Sequence, residues 1–189
     1  MVANVTKVNS ARSVVSYFSE DGYYAAGDPE HRKASRWHGR GAAALRLGRH
    51  VSPKRFAEIM RGEAPKAGVR LGTVRDGVLV HEAGRDVTLS APKSVSLAAL
   101  VDGDKRVVRA HDEAVRAVLD WIEEELLLTR QWDRERRRHR RVRAPGMVAA
   151  VFRHLANRNL DPQLHSHAVV ANMTLARRTA SGGASTLAR

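Results

Sequence analysis

The sequence predicts an α+β fold, and three observations carry that prediction. Two apolar, strand-like runs around residues 147–152 and 168–171 are joined by the turn-rich Ala156-Asn157-Arg158-Asn159-Leu160-Asp161-Pro162, which reads as a hairpin. Asp86-Val87-Thr88-Leu89-Ser90 alternates polar and apolar residues, as a half-buried strand does. Between them, Val108, His111, Val115, Val118, Leu119, Ile122 and Leu126 recur at helical spacing, so a long helix over about 104–130 should pack on the sheet.

In chain order, Val2, Val5 and Val8 suggest an edge strand over Met1–Val8. Ser10 is a plausible N-cap for a short helix to Ser19 that carries Tyr17 and Phe18. Tyr17, Tyr23 and Tyr24 are all the tyrosines of the chain and fall within eight positions. A phenolate that attacks phosphorus splits one transfer into two reversible ones, and that chemistry is one reason for such clustering; local aromatic packing is the other. Trp37-His38-Gly39-Arg40-Gly41-Ala42 has glycines that permit close backbone approach, a weak phosphate-loop signal. His38, His50 and His81 stand alone and read as surface or supporting residues.

Ser52-Pro53 reads as the cap and first residue of a helix with Phe56 and Met60 inward, stopped by Gly62. Residues 63–82 read as loop with one short strand at Gly77–His81. Ala91-Pro92-Lys93-Ser94 ends the Asp86 strand and opens into Val95–Val101. Arg134–Arg143 holds seven arginines in ten positions beside Trp132 and reads as a solvated loop, with phosphate contacts and a base-stacking surface as its sharper use. The Ala/Ser/Gly/Thr-rich residues 175–189 read as a flexible tail after a domain over 1–174.

The hairpin concentrates the chemistry. His165 and His167 share a strand face because side chains alternate, and His154 shares one with Val148, Ala150 and Phe152. If the two faces coincide, three imidazoles converge. Three neutral ligands leave a divalent cation its full charge to polarise a phosphoryl oxygen. A net charge of +13 on a chain that is 43% hydrophobic puts the basicity on a folded domain and points to nucleic acid as partner. There is no cysteine, so disulfides and thiolate sites are excluded. No apolar run approaches spanning length and the N-terminus lacks a signal-like core, so no membrane insertion and a cytoplasmic location are expected.

Gly84–Leu97 (GRDVTLSAPKSVSL), Ala110–Val115 (AHDEAV) and Phe152–Thr174 (FRHLANRNLDPQLHSHAVVANMT) resemble the MobF, or TrwC/TraI-like, conjugative relaxases of the HUH endonuclease group. Trp37–Ala42 and the N-terminal tyrosines are similar to that family too. The resemblance implies an antiparallel sheet flanked by helices, C-terminally truncated here because the family's domain continues past Thr174. It implies a bacterial, site- and strand-specific nickase acting on single-stranded DNA at a transfer origin. A conjugative coupling protein and accessory relaxosome proteins would be further partners.

By position, Tyr17 matches the attacking tyrosine, Tyr23 and Tyr24 the second pair, Asp86 the acid that assists the nucleophile, and His154, His165 and His167 the metal triad. Mg or Mn is favoured by the resemblance, whereas the donor set alone also suits Zn. Lys93, Trp132, Arg136, Arg137, Arg138, Arg153 and Arg158 are candidate DNA contacts. Phe18 departs from the family's frequent second tyrosine, and Asn157 from its frequent serine. A DNA-binding remnant without nicking activity and a His₃ metallohydrolase are the alternative readings of the same residues.

Overall fold

The computed structural model describes residues 1–8, 10–11, 34–64, 70–133, 135–157, 159–175 and 187–188. Its centre is a five-stranded sheet. In spatial order the strands are β1 (Val2–Val8), β5 (Gly84–Ser90), β9 (Pro162–Ala171), β8 (Ala149–Ala156) and β2 (Ser35–His38). Every neighbouring pair is antiparallel, which agrees with the expected sheet. β1 forms one edge, with Val2 and Val5 exposed and only Val8 buried.

The β8–β9 connection is built by Asn157. Its side-chain oxygen accepts from the backbone N–H of Asn159 and Asp161 at 2.9 and 3.0 Å, and Leu160 takes the left-handed φ of 64° that closes the turn. Pro162 starts β9, where its missing N–H costs the ladder least. The register shifts between His154 and Ala156, so a bulge lies beside the histidines.

Strand alternation gives the sheet two apolar faces. On the first, Ala150, Phe152, Val169 and Ala171 pack with Trp37 against Phe56, Ile59 and Met60 of α2 (Pro53–Met60). Phe56 and Phe152 meet edge to face at 5.3 Å. Helix α2 is capped as its sequence requires: the Ser52 hydroxyl accepts from Arg55 N–H, and Gly62 follows with φ 77°. On the second face, Ala149, Val151, Ala168, Val87 and Leu89 pack on Val115 and Leu119 of α4 (Lys105–Trp121), whose N-cap is Asp104. Helix α3 (Lys93–Leu100) ties to β9 through Ser96, whose hydroxyl accepts from Leu164 N–H at 3.0 Å. Among the described residues no helix is long and apolar enough to cross a membrane.

Five expectations need correction or limits. The long helix stops short of residue 130: α4 ends at Trp121, a π-helical turn covers Ile122–Leu126, and Leu128 already lies in β6 (Leu128–Asp133). Pairing with β7 (Arg138–Arg143) wins there over helical propensity, so most of the arginine run is strand and not loop. The segment 63–82 contains two short strands, β3 (Thr73–Arg75) and β4 (Val78–Val80), around an Asp76-Gly77 turn with both φ positive. The helix expected from Ser10 to Ser19 lies outside the described residues beyond Ala11, as does most of the tail. The described part of that tail pairs as β10 (Thr174–Leu175) with β11 (Leu187–Ala188).

The short helix α1 (Arg40–Ala44) explains the Gly39 and Gly41 pattern. Gly39 has φ 98°, and a Cβ on it would sit 2.3 Å from the Met147 carbonyl oxygen; one on Gly41 would sit 2.8 Å from the same atom. The glycines admit the backbone that leads into β8, and Ala42 N–H donates to Met147.

Candidate metal centre

His154 and His165 are directly opposed across β8 and β9, and His167, one alternation further, is opposed to Phe152 and Thr88. All three side chains therefore stand on the first face. Their rings converge with centroids 4.9, 4.8 and 5.3 Å apart. One nitrogen from each lies within 4.8 Å of the others, the one such group of metal-capable side chains among the described residues. His154 and His165 are buried and His167 is nearly so.

Two tautomers are fixed by acceptors that can only accept. His165 Nδ1 donates to the Gln163 carbonyl at 3.0 Å. His167 Nδ1 donates to Asp86 Oδ2 at 2.7 Å, with the Thr88 hydroxyl 3.2 Å from the same nitrogen. With Nδ1 protonated, each ring carries its lone pair on Nε2, the nitrogen that can ligate a cation. Burial, above all, pulls the His165 pKa below the ordinary histidine value, helped by His167 and opposed by the Gln163 bond and Asp86. Three convergent imidazoles, two of them oriented through Nδ1, suit a divalent cation.

The remaining candidates within the described residues lie on separate elements. Tyr17, Tyr23, Tyr24 and Arg158 lie outside the described residues. Lys93 is exposed at the start of α3 and donates to the Pro162 carbonyl at 3.1 Å. It lines a cleft of about 260 Å³ with Ala91, Ser96, Asn157 and Gln163, the last being the residue that holds His165. Trp132 is 52% exposed and meets His139 across the β6–β7 ribbon at 5.0 Å. Arg136, Arg137 and Arg138 are exposed at its tip, with Arg136 paired to Asp133.

Arg153 is different. It points to the second face, opposite the triad, and its guanidinium is bound to Asp112 of α4. It shares the Asp112 carboxylate with Arg36 in a half-buried setting. His38 binds Asp120 at 3.0 Å and His50 lies 3.3 Å from the Ser35 carbonyl; neither joins the triad.

Two groups escaped the sequence reading. Glu123, 6% exposed in the π-helical turn, accepts from Arg40 N–H at 2.8 Å and Met147 N–H at 2.5 Å. It joins the start of α1 to the segment that feeds β8. On the second face, His111 Nε2 lies 3.0 Å from the Ser166 hydroxyl, both buried. Burial, first of all, lowers the His111 pKa, with Arg153, His165 and Arg36 acting the same way and Asp112 opposing. A histidine on an apolar helix stripe was the available signal.

A family model described as TrwC relaxase matches residues 10–188. The chain is 38% identical over 172 residues to the multifunctional conjugation protein TraI of Escherichia coli K12, covering 90% of this chain but 9% of that protein. It is similar to the conjugative relaxase TrwC in complex with oriT DNA in a metal-bound structure, with TM-score 0.79, 34% identity, and 96% of this chain and 60% of that one covered. A copper-bound structure of the TrwC–oriT complex matches with TM-score 0.81 and 34% identity, over 100% of this chain and 62% of that one.

Proposed function

The chain belongs to the TrwC relaxase family, among the MobF conjugative relaxases, and on that premise we propose that it carries the nicking centre of a relaxase acting at a conjugative transfer origin. The observation that carries this reading is the convergence of His154, His165 and His167, with Asp86 holding the last by its Nδ1. The relatives whose structures hold oriT DNA and metal support the same substrate and a divalent cation here. Because the chain spans about a tenth of TraI and three fifths of the TrwC structures, activity, substrate and partners are all part of the proposal.

His154, His165 and His167 would hold a divalent cation (Mg or Mn by the family, Zn by the donor set), which would supply Lewis-acid stabilisation of the charge on a DNA phosphate. His165 and His167 would ligate through Nε2, because their Nδ1 protons are engaged. Asp86 has a second oxygen, Oδ1, buried and without a hydrogen-bond partner among the described residues. That oxygen is the acceptor for the phenolic proton of Tyr17, whose unperturbed pKa of about 10 makes the neutral group a poor nucleophile. The Tyr17 oxygen forms a bond to phosphorus, the bond to the 3′ oxygen breaks, and a free 3′ hydroxyl leaves. The 5′-phosphotyrosyl link conserves the phosphodiester energy, so the step reverses. Tyr23 and Tyr24 serve the later strand transfer. The exposed Trp132 and Arg136–Arg138 ribbon tip and Lys93 contact single-stranded or extruded DNA. A coupling protein and accessory relaxosome proteins are the further partners.

The test is mass spectrometry of the protein after incubation with a single-stranded origin oligonucleotide and Mg or Mn. A covalent adduct on Tyr17, lost in Tyr17→Phe, is expected. Retarded DNA without an adduct would make the chain a binding remnant, and hydrolysis without an adduct a metallohydrolase.

A further inference from the structure

The sheet is gripped from behind at the positions beside its metal-facing histidines. Ser166 lies between His165 and His167 and so points to the second face. There its hydroxyl meets His111 Nε2 at 3.0 Å, with Ser166 fully buried and His111 4% exposed. Arg153 precedes His154 and also points back, where it is bound to Asp112. His111 and Asp112 are successive residues of α4. Arg36 of β2, the next strand, reaches the same Asp112 at 3.5 Å to its carbonyl and 3.8 Å to its carboxylate.

We infer that the His111–Asp112 pair is a positioning element for the triad, fixing β8 and β9 relative to each other through Arg153 and Ser166. The inference rests on the reading of the triad as a cation site. The β8–β9 ladder sets the register of the two strands, and its irregularity beside His154 leaves their local twist and tilt less constrained there. Directional contacts, one per histidine-bearing strand, both rooted in consecutive residues of one helix, fix that tilt. His154 belongs to one strand and His165 and His167 to the other, so the tilt sets whether three nitrogens reach one ion. Loosening the pair should weaken cation binding more than it weakens the fold.

Mn²⁺ binding to the full chain, followed by electron paramagnetic resonance titration alongside thermal melts without metal, separates the roles. His111→Leu and Ser166→Ala should each bind Mn²⁺ at least about tenfold more weakly, the lower end for groups that orient metal ligands. The double variant should be little worse than either, because both remove one bond. His111→Gln, which keeps a nitrogen near the Nε2 position, should recover most of the affinity. Lowered melting temperature with native Mn²⁺ affinity in His111→Leu and Ser166→Ala would overturn the inference while leaving the cation site intact. If the unaltered chain binds Mn²⁺ no better than His165→Ala, the site reading itself fails and takes this inference with it. Should His111→Leu not fold, Ser166→Ala, which removes one oxygen, decides the matter.

Discussion

Removing the Asp86 carboxylate tests the centre at its most defined contact. Asp86 Oδ2 accepts from His167 Nδ1 at 2.7 Å, and the two side chains are 15% and 12% exposed, so solvent screens the bond little. A hydrogen bond with one charged partner contributes about 1.5–3 kcal/mol. At about 1.4 kcal/mol per decade, its loss corresponds to roughly ten- to hundredfold in cation affinity. The structure also says why the lower half of that range is expected for Asp86→Ala alone: the Thr88 hydroxyl, 3.2 Å from the same nitrogen, can accept the hydrogen bond in place of Asp86. Asp86→Asn keeps an acceptor and loses only the charge, so it should cost less than Asp86→Ala. Asp86→Ala with Thr88→Val removes both acceptors and should reach the upper end. Competition for Mn²⁺ with a fluorescent chelator gives the three constants. Equal affinity in the double variant and the unaltered chain would refute the claim that these acceptors orient His167.

Two further outcomes are expected. Glu123→Ala strands the buried Met147 N–H, at about 1–3 kcal/mol, while the Arg40 N–H on an exposed residue can turn to water. For a chain of this size that is a melting-temperature drop on the order of 2–12 °C; Glu123→Gln, which retains an acceptor, should lose much less, as circular-dichroism melts would show. For pH, the folded-state values of His38, His111 and His165 all lie below the ordinary 6.5, with burial the largest cause in each. The unfolded chain therefore binds more protons just below that value, and the stability these groups contribute is present above it and lost as pH falls through the folded values. Urea melts in chelator should show falling stability below about pH 6.5, with a shallower fall in His111→Gln; a flat profile would contradict the burial of these rings.

What was legible in the sequence was local. The hairpin showed through its apolar runs and through Asn157 and Pro162. The face shared by His165 and His167 followed from alternation alone. Ser52-Pro53 announced α2, and the Asp86 strand showed its polar face. The misreadings arose where local pattern and distant partner disagreed. Helical spacing runs through Leu126, yet the chain turns there because Leu128–Asp133 finds Arg138–Arg143 across a tight turn. Asp76-Gly77 carried a hairpin signal, but its strands are three residues each and too short to alternate visibly. Glu123 became interpretable only when the fold brought Arg40, 83 residues away, and Met147 to its carboxylate. The pairing of Arg153 with Asp112, 41 residues earlier, likewise showed only once the fold placed α4 behind β8.

The central position of β9 explains why a cation site and its backing can be specified together. β9 is paired on both sides, by β5 and β8, and is buried on both faces: Leu164, Ser166 and Ala168 on one, His165, Val169 and Ala171 on the other. A slip of one residue in its pairing would send Ser166 to the metal side and both histidines into the apolar packing under α4. Such a slip would bury imidazoles without partners and leave His111 facing no hydroxyl, so the polar residues on each face oppose it along with the apolar ones. Sites carried on sheet strands hold geometry better than sites on loops. Here the strand that supplies two ligands is also the one whose register both faces enforce.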